Sequence, residues 1–336
     1  MNFYAGTCYR FLYNFELAEL HFLREQELAP EDMDGYNGLA YVYEGMNRLP
    51  EALQQVNKAI AIAVTRSGQF GWLFGHKIQI LRRMNRPQEA IDTVYDAMSR
   101  YNYPEGHELK FDICCQFGLW DKAAKMLNEW RAAEGLISST AAAAIRLQLL
   151  TNHPIRARLE LSKAKNVLDD EDDDALRLQM AELRGDFRTA VQIWTKRHED
   201  TKDLSHVLMN LSEAKLFSGD KSGSFCEALD ALTELEKELQ EYRANRTLTQ
   251  TRKAMTLALL DREAEARAAL AEARKMPLCA GCDYCSCKDA DIFEATMEEV
   301  FGNYRKAEEL YQKFAKQWPD ELDFVTGLNR IRRRGK

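Results

Sequence analysis

Residues 302–319 read GNYRKAEELYQKFAKQWP, and the spacing of their small and apolar residues decides the fold. A glycine opens the segment, and the small residue Ala307 follows five positions later. Tyr311 and Phe314 then recur four and three positions further on, which places them on the same face of a helix as Ala307. The segment therefore predicts a tight turn followed by an amphipathic helix with a small residue in its first turn.

The same arrangement recurs along the whole chain at intervals of 33 to 41 residues. Two antiparallel helices approach closely only where a side chain is small, so an alanine at each recurrence predicts a helix crossing. Three or more units at a period near 34 residues indicate stacked helical hairpins. The nine predicted crossing residues are Ala18, Ala52, Ala90, Ala123, Ala157, Ala190, Ala228, Ala266 and Ala307.

Each hairpin needs a residue that tolerates positive φ where its first helix ends, and Gly and Asn do so at the lowest cost. The predicted turn residues are Asn47, Asn85, Gly118, Asn152, Gly185, Gly219 and Gly302. An apolar residue or Pro two positions later is expected to open the second helix. These residues are Phe15, Leu49, Pro87, Trp120, Pro154, Phe187 and Tyr304.

This pattern resembles the tetratricopeptide repeat (TPR) family. The first unit matches through Gly6, Tyr9, Phe15, Ala18, Phe22 and Pro30. The last unit matches through Gly302, Tyr304, Ala307, Tyr311, Phe314 and Pro319. The resemblance implies an all-α fold, a right-handed α-solenoid or superhelix of about nine hairpins over residues 1–320. A helical array of similar period outside this family is the alternative.

Residues 321–336 are expected to form a C-terminal capping helix with a basic tail. The apolar residues that would form its buried face are Leu322, Phe324, Val325, Leu328 and Ile331. Terminal repeats need a cap with a polar outer face, and cations are favourable at a helix C-terminus. The closing arginines from Arg330 onward are therefore expected on the outside, and a tail that binds nucleic acid is the alternative.

Composition excludes several classes of protein. The 336 residues include only 7 prolines and 17 glycines, fewer than all-β or low-complexity chains need. With 46 basic and 53 acidic residues the net charge is −7, which argues against binding to a nucleic-acid backbone. There is no apolar run of membrane-spanning length and no signal peptide, so we expect a cytoplasmic protein without a membrane partner. The sequence has no Walker, nucleophile-elbow or HExxH motif, so we expect no enzyme.

Four of the eight cysteines lie within nine residues, spaced C-x2-C-x2-C-x-C. Four thiolates suit tetrahedral zinc, and an iron–sulfur cluster is also chemically possible. We expect a metal-binding inter-repeat loop at residues 277–288, with Arg274 and Lys288 offsetting the charge of the thiolates. Disulfides, a redox switch or inert thiols are the alternatives. The predicted metal ligands are Cys279, Cys282, Cys285 and Cys287.

The resemblance implies that the first helix of each hairpin lines a concave groove in which a partner protein or peptide binds. Helical spacing assigns to this groove Asn37, Tyr41, Trp72, Gln79, Arg82 and Arg146, and in the sixth hairpin Gln179 and Glu182. Tyr, Trp and Arg are the residues that most often anchor interfaces. The sequence thus favours a protein- or peptide-binding scaffold or adaptor. The alternative is a metal- or redox-sensing regulator in which the cysteines are the functional centre.

Overall fold

The computed structural model describes residues 2–66, 68–200, 204–241, 246–275 and 285–334. These residues form nineteen α-helices, and no strand occurs among them. The helices are α1 Asn2–Phe11, α2 Phe15–Leu28, α3 Met33–Gly45, α4 Leu49–Ala63, α5 Gly71–Arg83, α6 Pro87–Arg100, α7 Gly106–Gln116, α8 Trp120–Glu134, α9 Ser138–Leu150, α10 Pro154–Ala164, α11 Asp170–Arg184, α12 Phe187–Asp200, α13 Leu204–Ser218, α14 Lys221–Glu241, α15 Arg246–Leu259, α16 Glu263–Lys275, α17 Cys285–Val300, α18 Tyr304–Gln317 and α19 Leu322–Arg334.

Successive helices pack as hairpins, as the repeat predicts. Contacts join α1 with α2, α3 with α4, α5 with α6, α9 with α10, α11 with α12, α13 with α14, α15 with α16, and α17 with α18. All nine predicted crossing alanines are 0% exposed, which confirms that a small side chain is needed where the helices meet. A larger side chain at these positions would force the helices apart.

The predicted turns are confirmed as well. All seven predicted turn residues have positive φ, between 57° at Asn85 and 97° at Gly219. All seven residues expected to open a second helix are the first residues of their helices. Tyr13 and Asp261 also adopt φ of 58° in the equivalent turns of the first and eighth hairpins. The sequence did not reveal these two, because neither is Gly or Asn.

The contacts divide the chain into two compact units. The first unit extends to Met126, and the second begins at Leu127. In the first unit the core lies between successive hairpins. Phe22 of α2 is almost fully buried there, against the backbone of α3 at Gly38.

In the second unit, α19 packs against both ends of a row of helices. It contacts α17 and α18, which precede it, and also α9 and α11, which lie more than 130 residues earlier in the chain. Because one helix touches both ends of the row, the row must curve around it. The side chains of Asn329 and Asn152 are hydrogen-bonded at 3.1 Å, and Arg333 donates to the carbonyl of Leu183.

The predicted C-terminal helix is thus present, but its packing differs from the expectation. Arg330 is only 8% exposed, whereas we expected it on the outer face. The reason is a buried carboxylate, Glu299 of α17, which forms an ion pair with Arg330 at 3.0 Å. None of the described helices has the length and apolar character of a membrane span.

Candidate functional site

The residues predicted for the groove in the first unit lie along one face of α3 and α5. Asn37 and Tyr41 come from α3, and Trp72, Gln79 and Arg82 come from α5. His76, which the sequence analysis had not singled out, lies between Trp72 and Gln79 on the same face of α5. We call Tyr41, Trp72, His76, Gln79 and Arg82 the first-unit face.

His76 holds this face together. Its Nδ1 is 2.7 Å from Asn37 Oδ1, its Nε2 is 3.1 Å from Glu44 Oε2, and its ring stacks on Tyr41 with centroids 3.7 Å apart. Asn37 is only 8% exposed, so its amide serves this network and is not presented to a partner as we expected. A histidine bonded through both nitrogens fixes the orientation of the rings around it.

Charges on the neighbouring elements reinforce the network. Burial raises the pKa of Glu44, but hydrogen bonds and charges from His76 and Arg83 outweigh burial and hold that pKa below its ordinary value. Arg10 of α1 lies 4.9 Å from the centroid of the Tyr41 ring. The rings of Tyr41 and His76 are therefore fixed before any partner arrives.

The remaining predicted positions differ in exposure. Trp72 is 46% exposed, and Gln79 is half-buried. Arg82 donates from Nε to Gln116 of α7 at 2.6 Å, so the face extends onto the next hairpin. Arg146 belongs to α9 in the second unit and lies near Lys288. Burial lowers the pKa of Lys288, but the charges of Glu321 and Asp320 outweigh burial and the opposing charge of Arg146, so that pKa is raised.

A cavity of about 280 Å³ lies within the second unit, and we call it the acidic pocket. Three of its carboxylates come from three different helices, namely Glu182 of α11, Glu213 of α13 and Asp323 of α19. Apolar side chains, including Phe187 and Trp194, line the same cavity. The residues that line the pocket are Leu178, Gln179, Glu182, Phe187, Trp194, His206, Asn210, Glu213, Ala214, Ile292, Phe293, Thr296, Glu321, Leu322, Asp323, Thr326 and Arg330.

Burial and mutual repulsion disturb the titration of these carboxylates. Burial, with the Glu213 charge, raises the pKa of Glu182 to about 7. Burial also raises the pKa of Glu213. An empty pocket therefore holds part of its carboxylates protonated at neutral pH.

The positive charge beside the pocket is already used. Arg330 forms its ion pair with Glu299, donates to the Tyr311 hydroxyl at 3.0 Å, and lies 4.2 Å from the centroid of the Phe217 ring. Glu182 accepts a long hydrogen bond of 3.4 Å from Trp194 Nε1. Within the described part of the chain, Glu213 accepts no hydrogen bond and Asp323 forms no side-chain ion pair.

The sequence analysis placed Gln179 and Glu182 on the inner face, and both line this pocket. It did not identify Glu213, Asp323 or Arg330. A signal for Glu213 was present, because His206, Asn210 and Glu213 form a polar stripe at helical spacing within α13. No comparable signal marked Asp323, whose position depends on the return of α19 across the second unit.

The cysteine cluster falls mostly outside the described residues. Cys279 and Cys282 lie outside them, and only the backbone of Cys285 and Cys287 is described. We expected helix to begin near Asp289, but α17 begins at Cys285, because no Gly or Pro follows Gly281 in this segment. Among the described residues, no three His, Cys, Asp or Glu side chains lie close enough to share a metal ion.

The cations expected to offset the thiolates have carboxylate partners among the described residues. Arg274 pairs with Asp291 at 3.0 Å and with Glu294 at 2.6 Å. Lys288 pairs with Glu321 at 2.8 Å. These ion pairs attach the start of α17 to α16 and to the loop before α19, which is a structural role.

No model of a known protein family matches the chain, and no curated protein does. Among solved structures, a tetratricopeptide repeat protein from Parabacteroides merdae is 12% identical with a TM-score of 0.48, over 77% of this chain and 98% of that one. The anaphase-promoting complex assembly Cut9–Hcn1 is 13% identical with a TM-score of 0.48, over 94% of this chain and 65% of that one. The pilus biogenesis factor PilW is 17% identical with a TM-score of 0.41, over 62% of this chain and 96% of that one.

These likenesses are too distant to say what the chain binds. The fold follows instead from its own hairpins, with nine buried crossing alanines and seven predicted turns of positive φ. The chain has the helical-hairpin repeat architecture of tetratricopeptide repeat proteins, as its sequence indicated.

Proposed function

We propose that this chain is a protein- or peptide-binding scaffold and that a partner binds on the first-unit face. The observation that carries the proposal is Trp72, a large aromatic side chain left 46% exposed beside a rigid polar network. Tryptophan, tyrosine and arginine dominate the energetics of protein interfaces. Because stacking and hydrogen bonds already fix Tyr41 and Arg82, a partner would lose little side-chain entropy on binding them.

The role we propose is binding and not catalysis. The inner face of the second unit is an unsuitable place for a long peptide, since α19 already packs against α9 and α11 there. In the first unit, the exposed Trp72 shares one face with the half-buried Tyr41, Gln79 and Arg82 instead. We therefore place the partner site on α3 and α5 rather than at Arg146.

The test is affinity purification with quantitative mass spectrometry from the native source. We compare the wild-type chain, the double variant Trp72→Ala/Gln79→Ala, and Leu20→Ala as a control. Leu20 is 60% exposed on α2, a second helix of a hairpin. We expect recovery of at least one partner to fall tenfold or more in the double variant and to stay constant in the control. Equal recovery from both variants would overturn the assignment.

We also propose that Cys279, Cys282, Cys285 and Cys287 hold a structural zinc ion in the reducing cytoplasm. The support is their spacing, because C-x2-C lets two sulfurs reach one ion and four thiolates complete a tetrahedron. Metal analysis of the purified chain should find near-stoichiometric zinc, lost in Cys282→Ser. Absence of metal would refute the site, while visible absorbance or release of metal by mild oxidant would favour the iron–sulfur or sensor alternative.

A further inference from the structure

We propose that the acidic pocket of the second unit is a binding site for an alkylammonium group, such as a lysine side chain of a peptide or a free diamine. The proposal does not depend on the first-unit face, because every residue of the pocket belongs to the second unit. It rests on the shape of the cavity, on its surplus of carboxylates and on the nature of its walls.

The first argument is charge. Glu182, Glu213 and Asp323 face one cavity from three helices, while Arg330 is committed to Glu299. These carboxylates lower the stability of the fold, because Glu182 and Glu213 are desolvated and the charge of Arg330 offsets that cost only in part. Their side chains are aimed into a space of about 280 Å³ that a small group can enter. A cation in that space would add to the counter-charge that Arg330 supplies only in part.

The second argument concerns the kind of cation. The carboxylates are too far apart for three of them to share a metal ion. An ammonium group carries three rotatable donors and can donate hydrogen bonds to acceptors on different helices. A planar guanidinium instead prefers to bind one carboxylate through two parallel hydrogen bonds. The distribution of the carboxylates over α11, α13 and α19 therefore favours an ammonium over a metal or a guanidinium.

The third argument is the wall of the pocket. Phe187, Trp194, Phe293, Leu178 and Ile292 line it together with the carboxylates. Aromatic and aliphatic walls suit the methylene chain that carries an ammonium group, and aromatic faces attract cations directly. Asp323 is exposed, so the pocket opens to solvent at that carboxylate and a side chain can enter there.

Protonation gives the site a signature that a non-specific surface would lack. Glu182 titrates near pH 7 in the empty pocket, and an ammonium beside it favours the charged carboxylate. The groups that face Glu182 are Trp194 and Arg197 of α12, His206 and Glu213 of α13, and Asp323 and Arg330 of α19. Binding at pH 7 should therefore release protons, and affinity should rise between pH 6 and pH 8, where the amine stays charged.

The experiment is calorimetric titration of the full chain with cadaverine, with N-acetyl-lysine methylamide and with uncharged 1,5-pentanediol. Each titration is repeated in two buffers of different ionisation enthalpy, so that proton release is measured. We expect cadaverine to bind with proton release and the diol not to bind. If both amines bind, the pocket admits a peptide lysine, and if only cadaverine binds, the source of the ammonium is a free diamine.

Variants show whether the pocket is responsible. Glu182→Gln and Glu213→Gln should each weaken cadaverine at least tenfold, because each removes a charged acceptor. Both variants should fold, since they remove repulsion. The control Glu309→Gln changes an exposed carboxylate of α18 outside the pocket and should leave affinity unchanged. Absence of binding by both amines, equal binding of the diol, unaltered affinity in both pocket variants, or tight binding of Ca²⁺ that displaces the amine would overturn the proposal.

Discussion

The attachment of α19 to the rest of the second unit depends on one buried ion pair. Removing that ion pair should lower the stability of the protein by an amount that can be measured. Arg330 is 8% exposed and Glu299 is 1% exposed, and their side chains are joined by three contacts of 3.0 to 3.2 Å. Substituting Arg330→Met keeps much of the volume but leaves the Glu299 carboxylate buried with the Tyr311 hydroxyl as a donor and only Arg334, 4.0 Å away, as a cation. Breaking a buried pair in this way costs about 3–5 kcal/mol.

The assay combines urea denaturation with hydrogen–deuterium exchange of α19. We expect Arg330→Met to lower the free energy of unfolding by about 3–5 kcal/mol and to expose the amides of α19. The matched control is Arg332→Met on the same helix. Arg332 is exposed, so its substitution should change stability by less than about 0.5 kcal/mol.

A double-mutant cycle separates the ion pair from general packing. The variant Glu299→Gln/Arg330→Met replaces both charges, so no carboxylate remains buried without a counter-ion. We expect the double variant to be more stable than the sum of the single effects predicts, with a coupling energy of at least about 2 kcal/mol. Additive single effects, or a cost below about 1 kcal/mol for Arg330→Met, would refute the idea that this ion pair holds α19 in place.

Further predictions concern backbone approach and buried carboxylates. Gly38→Ala should cost about 1–3 kcal/mol, because a Cβ would lie 2.3 Å from the Phe22 ring, whereas Gly75→Ala should be neutral or stabilising in the same denaturation assay. The pKa of Glu298 is lowered to about 2, so this carboxylate stabilises the wild type by up to about 3 kcal/mol above pH 4.5, and that contribution is lost as the pH falls toward 2. Glu298→Gln should remove this contribution and its pH dependence. The raised pKa of Glu182 makes the wild type lose stability between pH 4.5 and 7, and Glu182→Gln should flatten that decline.

The local features of the fold could be predicted because each depends on neighbouring residues. Crossing alanines such as Ala307 and turn residues such as Gly302 are set by contacts within one hairpin, and a repeated spacing reveals them. The positive φ of Tyr13 was not predicted, because a tyrosine does not indicate a left-handed turn. The inward stripe of α13 was visible in principle, since its polar positions keep helical spacing.

The sites depend on contacts between residues that are far apart in the chain. Helical periodicity and repeat spacing do not predict such contacts. In the sequence, Arg330 is one of several terminal arginines, and nothing there indicates that Glu299 of α17 pairs with it and allows it to be buried. Asn37 looked like a groove residue until His76, 39 positions later, took its side chain as a partner. Asp323 joins Glu182 only because α19 crosses back to α11.

The central claim is that a partner binds on the first-unit face, and site-specific photo-cross-linking tests it most directly. A benzophenone amino acid is placed at Trp72 in one chain and at Leu20 in another, and both are irradiated in the native source. We expect a discrete adduct with a partner protein from position 72 and none from position 20. No adduct at position 72, or the same adducts from both positions, would contradict the claim.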